Sequence, residues 1–451
     1  MRIHLIIFHK HVNSKVQHLL YNSQAHKFEG WFWHVTDFHW DFTYWDRQLS
    51  CNDQVPNPGK YGDYWCDAPW SLVNSSVVAM KNSIDNTLHT GDDNVDFEIH
   101  DAILGNITQL LKENFPEVPV YATFGNHDYY PHNQFPPHGN ELYNRTYIKW
   151  KTWINDSSQM EYFLKGGYYS VKTTHGRLRI IGLNTNLYYT SDKLTATLTD
   201  PADQLVWLEN ELEKAKNNNE KVLITGHVPP GITAPSNILW MYPQYNKRIN
   251  QILTAYSDII VGQHFGHEHE DSFRVYFKND KPVMSQFCAP SVTPWRYKIP
   301  GRTGPPHNPG VRLIKYNRDS GEHLELVQYY MDLPKTNKML NPEWEVEYTL
   351  PKDYGMSDLS PGSFGKLLTK MSQSESMEFK NYMKWKIVSA VNTDEPKCDI
   401  NCKSSYICSL KTVDPQLFNK CKNEFVSTAS ITSKAQFTLL MSLTFVFVLK
   451  P

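Results

Sequence analysis

Short apolar runs that end abruptly in polar turns recur along this chain. Gly30–Thr36 is almost wholly apolar and stops at Asp37-Phe38-His39. Val118–Ala122 leads to Gly125-Asn126-His127-Asp128, and Leu178–Leu183 to Asn184-Thr185-Asn186. Lys221–Thr225 leads to Gly226-His227, and Ile259–Gly262 to Gly266-His267-Glu268-His269. Runs of this length, with little alternation, predict strands buried on both faces. Gly167–Val171, Val283–Phe287 and Val311–Tyr316 complete a mixed-sheet pattern. Helical spacing appears over 72–80, around 147–154, and over 201–217, where Leu205, Leu208 and Leu212 share one face. A polar run, 84–89, precedes the turn Thr90-Gly91-Asp92-Asp93. A helical pattern containing Ile103, Leu104, Leu110 and Leu111 follows. Strand, turn, helix and strand in succession predict a βαβ crossover into Val118–Ala122. Past about residue 345 the pattern turns helical.

Composition narrows the class. The 451 residues suffice for one large domain with a smaller one. A net charge of −2 and an isoelectric point near 6.8 give no electrostatic case for a nucleic-acid polymer. Aromatic residues make up 13% of the chain, which suits a large core and stacking surfaces. Of seven cysteines, Cys398, Cys402, Cys408 and Cys421 crowd near the end. A zinc site is one reading of that cluster, but the short Cys-Xaa₂-Cys knuckles are absent, so disulfides and an oxidising compartment are preferred. Sequons at Asn74, Asn106, Asn144 and Asn155 agree with a secretory route as glycosylation sites. The ends are less consistent with it. Leu5–Phe8 is too short for a signal-peptide core. Phe437–Leu449 is apolar and covers roughly 20 Å against a ~30 Å hydrocarbon core. Small residues at 427–430 and a polar spacer precede it, the pattern of a lipid (GPI) attachment signal, with a buried strand or short tail anchor as the alternative.

The residues at the strand ends are of metal-binding type. Asp37 and His39 stand two apart, so on an extended strand they would point the same way. Asp92, Asn126, His227, His267 and His269 complete five such sites, more than chance placement explains.

Asp-Xaa-His, Gly-Asp, Gly-Asn-His-Asp, Gly-His and Gly-His-Xaa-His, in this order, resemble the calcineurin-like binuclear metallophosphoesterases. Trp33–Asp37, Trp65-Cys66-Asp67, Asn184–Tyr189, Gly226–Gly231 and Phe265-Gly266-His267 resemble, within them, the acid sphingomyelinase-like phosphodiesterases. The similarity spans roughly Gly30 to Cys421, and the apolar tail makes the membrane-anchored b-type branch the nearest match. The resemblance implies an α/β fold: a β-sandwich flanked by helices, with a small helical, disulfide-bonded C-terminal subdomain. It divides the chain into an N-terminal segment (1–28), a catalytic domain (29–345), a helical subdomain (346–425) and an attachment signal (426–451). It implies two zinc ions, one held by Asp37, His39, Asp92 and His269, the other by Asp92, Asn126, His227 and His267, with Asp92 bridging. Such a pair activates a shared water and neutralises phosphoryl oxygens. His127 is then the general acid, with Asp128 orienting it or capping the turn. His34 and Gln263 are candidate supports, and His132, His138, Tyr129, Tyr130, Tyr188 and Tyr189 candidate substrate contacts. Glu268 and Glu270 are expected to point away. The disulfides implied are Cys51–Cys66, Cys398–Cys402 and Cys408–Cys421, leaving Cys288 free.

The chain departs from this pattern at one place. Relatives have an apolar strand ending in Trp-Thr-Gly-Asp and a histidine four residues after that aspartate. Here the strand is polar and the later position is Asp96, with His100 as a candidate substitute. The expected activity is hydrolysis of phosphodiester or phosphoanhydride bonds in nucleotides or related small phosphate esters. It would act at the outer face of the cell membrane or after secretion, as a monomer. A sphingomyelin phosphodiesterase, or a catalytically weak surface protein that modulates lipids or receptors, are the alternatives.

Overall fold

A computed structural model describes residues 4–9, 29–46, 55, 57–82, 97–174, 176–296, 298–299, 302–391 and 398–427. Two six-stranded sheets pack face to face. We number their strands β1 (His4–His9), β2 (Glu29–Val35), β3 (Val120–Thr123), β4 (Tyr169–Lys172), β5 (Leu178–Gly182), β6 (Lys221–Thr225), β7 (Ile260–Phe265), β8 (Ser272–Lys278), β9 (Lys281–Cys288), β10 (Gly310–Asn317), β11 (His323–Tyr330) and β12 (Glu345–Leu350). The first sheet runs β12-β11-β10-β2-β1-β3 and is antiparallel throughout. The second runs β8-β9-β7-β6-β5-β4, with β5, β6, β7 and β9 parallel and a hairpin at each edge. Helices cover the outer faces: Glu141–Ile154 lies on β3, Gln204–Asn217 on β6, and Pro361–Met371 and Ile400–Lys411 on the β8–β9 hairpin.

The expected αββα sandwich is therefore present. Some elements differ from the sequence reading. Leu5, Ile6 and Ile7 form an inner strand, each fully buried between β2 and β3. Four apolar residues are enough for a strand buried on both faces. β8, β11 and β12 carry buried or alternating polar residues and escaped the apolar-run criterion. β12 also means that the chain past 345 begins with an edge strand; its helices start at Pro361. The expected strand at 84–89 lies outside the described residues.

The core between the sheets holds a line of histidines. His34 Nδ1 lies 3.2 Å from His264 Nδ1, and His264 Nε2 lies 3.4 Å from His323 Nε2. His34 Nε2 is 3.2 Å from the Phe265 carbonyl oxygen. One assignment of tautomers satisfies all three contacts. His323 donates to His264, His264 donates to His34, and His34 donates to the carbonyl, each ring neutral with one proton. Burial accordingly pushes His34 and His264 well below the usual imidazole range and His323 down to about 4.

These neutral rings tie stability to pH. The unfolded chain takes up a proton on His323 below about pH 6.5, whereas the folded chain does so only near 4. Stability should thus be full above pH 6.5 and fall as pH drops from there, by about 1.4 kcal/mol per pH unit for this one group. Replacing His323→Phe should flatten that fall, measured as denaturant midpoints at pH 7, 6, 5 and 4.5. An unchanged pH slope would show that His323 is not the titrating group.

Candidate metal centre

The sheets bring their polar turns together at one edge. β2 ends at Val35, so Asp37 and His39 lie beyond the strand and strand alternation does not align them. Asp37 (φ 54°) and His39 (φ 45°) instead adopt left-handed backbone, as do His267 (φ 68°) and His269 (φ 60°). Such conformations cost on the order of 1 kcal/mol for each non-glycine residue. They fold each pair back so that both side chains of a motif face inward. Gly266 lets the two turns touch: a Cβ there would lie 2.0 Å from Thr36 Oγ1 and 2.8 Å from Asp37 Oδ2.

Asp37 is the hub. Its Oδ2 accepts hydrogen bonds from Thr36 Oγ1 (2.8 Å) and the His267 amide (2.9 Å). Its Oδ1 faces three imidazoles, with Nε2 of His39 at 3.4 Å, of His269 at 3.4 Å and of His227 at 3.8 Å. Burial alone would raise this carboxyl. The surrounding His227, His269 and His39 rings outweigh burial and hold it well below the usual carboxylate range. A ligand atom from each of Asp37, His39 and His269 lies within 4.8 Å of the others. A second group forms around Asn126 Oδ1, with His227 Nε2 at 3.0 Å and His267 Nδ1 at 3.2 Å. Asn126 is oriented by Asn133, which accepts from its Nδ2 at 2.6 Å and leaves the carbonyl oxygen aimed at the histidines.

His127 stands half-buried at the mouth. Its ring stacks at 5.9 Å on His39 and at 4.5 Å on the exposed His132, which in turn meets the exposed Tyr130. Asp128 caps the turn, its Oδ2 accepting from the Gly125 amide at 2.7 Å. Trp240 packs on His267 (4.5 Å), Tyr189 on the same ring (4.9 Å) and Trp295 on His269 (4.8 Å).

Asp37, His39, Asn126, His227, His267 and His269 thus converge. Asp92 and Asp96 lie outside the described residues, as does the His100 side chain. Glu268 turns away, accepting from Trp240 Nε1 and Arg274, and Glu270 pairs with His307 and Lys386. Tyr188 is core, bonded by Gln204, and Tyr129 meets Phe135. His34 bonds the Phe265 carbonyl just ahead of the His267 turn, and Gln263 reaches Met284 and Tyr276, so neither contacts a donor side chain among the described residues; His138 is exposed. Sequence reading missed Asp67, whose Oδ1 sits 2.7 Å from His39 Nδ1, as well as Asn133, Trp240 and Trp295. Asp67 stood within a quoted motif, Trp65-Cys66-Asp67, but its role depends on a contact 28 residues distant in sequence.

Comparison with known proteins agrees with this geometry. Residues 30–271 match the calcineurin-like phosphoesterase family and residues 281–428 the acid sphingomyelin phosphodiesterase C-terminal region. The chain is 37% identical over 413 residues to acid sphingomyelinase-like phosphodiesterase 3b of Homo sapiens, covering 87% of this chain and 90% of that one. It is 36% identical over 412 residues to the human cyclic GMP-AMP phosphodiesterase SMPDL3A (87% and 90%). To sphingomyelinase phosphodiesterase C of Dictyostelium discoideum it is 33% identical over 423 residues (87% and 92%). The chain belongs to the acid sphingomyelinase-like phosphodiesterases. It is accordingly a hydrolase of phosphodiester bonds, on a calcineurin-like phosphoesterase fold.

The residues fit the divalent ions this phosphodiesterase family implies. Asp37 Oδ1 and His39 Nε2 are buried without a hydrogen bond although they face one another, as donor atoms do around a shared cation. The disulfides Cys398–Cys402 and Cys408–Cys421 are formed and Cys288 is a buried free thiol, as expected. Cys66 is disulfide-bonded, and its expected partner, Cys51, lies outside the described residues.

Asp67 should act by fixing the His39 ring so that Nε2 faces the centre. Asp67→Asn is expected to weaken metal affinity by about 10–100-fold in competition with a chromogenic chelator, with unchanged circular dichroism. Parent-like affinity would remove Asp67 from this role.

Proposed function

We propose that the chain is a dizinc phosphodiesterase of the membrane-anchored b-type branch, acting on nucleotides or related small phosphate esters. The observation that carries the reading is the convergence of the Asp37 and Asn126 donor groups beneath His127. Asp37, His39 and His269 would hold one ion, and Asn126, His227 and His267 the other. When bound, such ions neutralise phosphoryl oxygens and supply an activated water.

The chain's own groups then divide the work. His127 stands beside the ligands with its ring toward the mouth, placed to protonate the departing alkoxide. Trp240, Tyr189 and Trp295 wall the ligand rings and exclude water. The exposed rings of His132 and Tyr130, which continue outward from His127, offer flat faces on which a nucleobase stacks, a contact worth about 1–3 kcal/mol per base in single-strand binders. A relative named for cyclic GMP-AMP hydrolysis supports this substrate class.

Two features support a secretory route. The disulfides suit an oxidising compartment, and among the sequons Asn144 and Asn155 are exposed, while Asn74 and Asn106 are half-buried on helices. No helix among the described residues is long and apolar enough to cross a membrane, and the apolar Phe437–Leu449 lies outside them. The proposed lipid anchor rests on that stretch.

His127→Ala should lower kcat about 10²–10⁴-fold on a nucleotide ester with an alkyl leaving group. It should have little effect on a nitrophenyl ester, whose leaving group needs no proton. Metal content should stay at the parent value. Equal losses on both substrates would rule out proton donation by His127. Treatment of expressing cells with a phosphatidylinositol-specific lipase should release the protein; retention on the cells would contradict the anchor.

A further inference from the structure

The run Gly266-His267-Glu268-His269-Glu270 alternates histidines that face the centre with glutamates that do not. Left-handed backbone at His267 and His269 turns both rings inward, and the two glutamates leave the turn in other directions. A carboxylate taken out of water needs a cation beside it. Each glutamate has one: Arg274 Nη2 lies 2.6 Å from Glu268 Oε1, and Lys386 Nζ pairs with Glu270 Oε2. Both cations are themselves buried. Two buried ion pairs are a costly way to build a turn that solvent could otherwise satisfy, so the glutamates call for a role of their own.

Each one reaches back, through an aromatic ring, to the histidine just before it. Glu268 Oε1 accepts from Trp240 Nε1 at 2.9 Å, and the Trp240 ring meets His267 edge-on at 4.5 Å. Glu270 Oε1 lies 3.4 Å from His307 Nε2, the His307 ring stacks on Trp295 at 5.9 Å, and Trp295 meets His269 at 4.8 Å. We propose that Glu268 and Glu270 are positioning residues, each setting the tryptophan that holds the preceding histidine ring at the angle in which it takes a cation. The proposal rests on the dimetal reading above.

The two arms are built alike and anchored apart. Trp240 follows a short hairpin, Ile232–Thr233 with Ile238–Leu239, and Arg274 Nη2 also donates to the Ile232 carbonyl at 3.2 Å. Glu268, Arg274 and the hairpin thus form one unit behind His267. On the other side, Trp295 and His307 exchange main-chain hydrogen bonds of 3.3 and 2.8 Å. The Lys386 carbonyl accepts from the Asp271 amide at 3.0 Å, so the end of the helix Met377–Lys386 holds both Glu270 and the turn. A ligand ring fixed beforehand loses less freedom when it binds, which raises affinity. Trp295, His307 and Lys386 all belong to the later family segment, which in this way sets the ring of one histidine in the earlier one.

The test uses the full chain with Zn²⁺ or Co²⁺ as the probe. Metal per chain is measured by mass spectrometry after dialysis, affinity by chelator competition, and ligand field by the visible Co²⁺ spectrum. Glu268→Ala should weaken one ion about 10-fold and change the Co²⁺ spectrum. Glu268→Gln, whose amide oxygen still accepts from Trp240, should recover most of the affinity. Trp240→Phe keeps a ring without the N–H and should show the Glu268→Ala loss, and the two substitutions together should be no worse than either alone. Glu270→Leu combined with Lys386→Leu removes the second pair without leaving a buried charge, and should also weaken one ion about 10-fold. Leu367→Ala, a core truncation on the outer helix Pro361–Met371, reads lost stability alone and should keep the parent affinity. Equal weakening in Leu367→Ala overturns the proposal, as do additive losses for Trp240→Phe and Glu268→Ala, or a Glu268→Gln no better than Glu268→Ala. With two ions in the parent, unchanged values in Glu268→Ala or in the leucine pair overturn the proposal for that glutamate alone. A parent chain that binds none overturns the dimetal reading with it.

Discussion

A carboxylate buried to the last atom cannot stand alone, and Asp37 imposes that constraint on the whole molecule. Uncompensated, a buried charge costs several kcal/mol. Here the compensation comes from parts of the chain 230 residues apart, since the His267 amide and the Asp37 carboxylate must meet. That meeting requires β2 and β7 to face each other across the sandwich. It requires glycine at 266 and left-handed backbone on both sides. The turn is anchored from a third direction by the Val292 and Thr293 amides, which donate to the Thr36 and Asp37 carbonyls. Stability and site geometry are here one requirement.

The histidines divide into two populations by what compensates them. Those at the centre face a carboxylate, an amide oxygen and aromatic walls. Those in the core, His34, His264 and His323, satisfy one another. The first group is poised to take a cation. The second has no acceptor left for an added proton. His4 borders the second population, its ring edge-on to His34 at 4.8 Å.

Strands buried on both faces announce themselves by continuous apolar runs, so Lys221–Thr225 was legible to the residue and its polar exit marked His227 as a candidate donor. Strands whose inward residues are polar were not. Arg274 lies inside β8 because Glu268 neutralises it, and His323 opens β11 because His264 receives its hydrogen bond. Neither partner is visible in the local pattern. The inner place of β1 was hidden for another reason: four apolar residues specify burial but not which neighbours pair with them. At the site, the converging donor residues were readable because each follows a strand. Asp67 and Asn133 were not, because each acts through one distant contact and belongs to no periodic pattern.

The two family segments meet within the β8–β9 hairpin: the first ends at residue 271 and the second starts at 281, where β9 begins. β9 then pairs in parallel with β7, the strand that leads to His267 and His269. Further along, Asn246 donates to the Val413 carbonyl and accepts from the Gly231 amide beside the His227 turn. The later segment is thus a flank of the catalytic sheet and a brace for one of its loops. Both sheets draw strands from the two segments, β2 and β7 from the first and β9 and β10 from the second, so neither segment completes a sheet without the other.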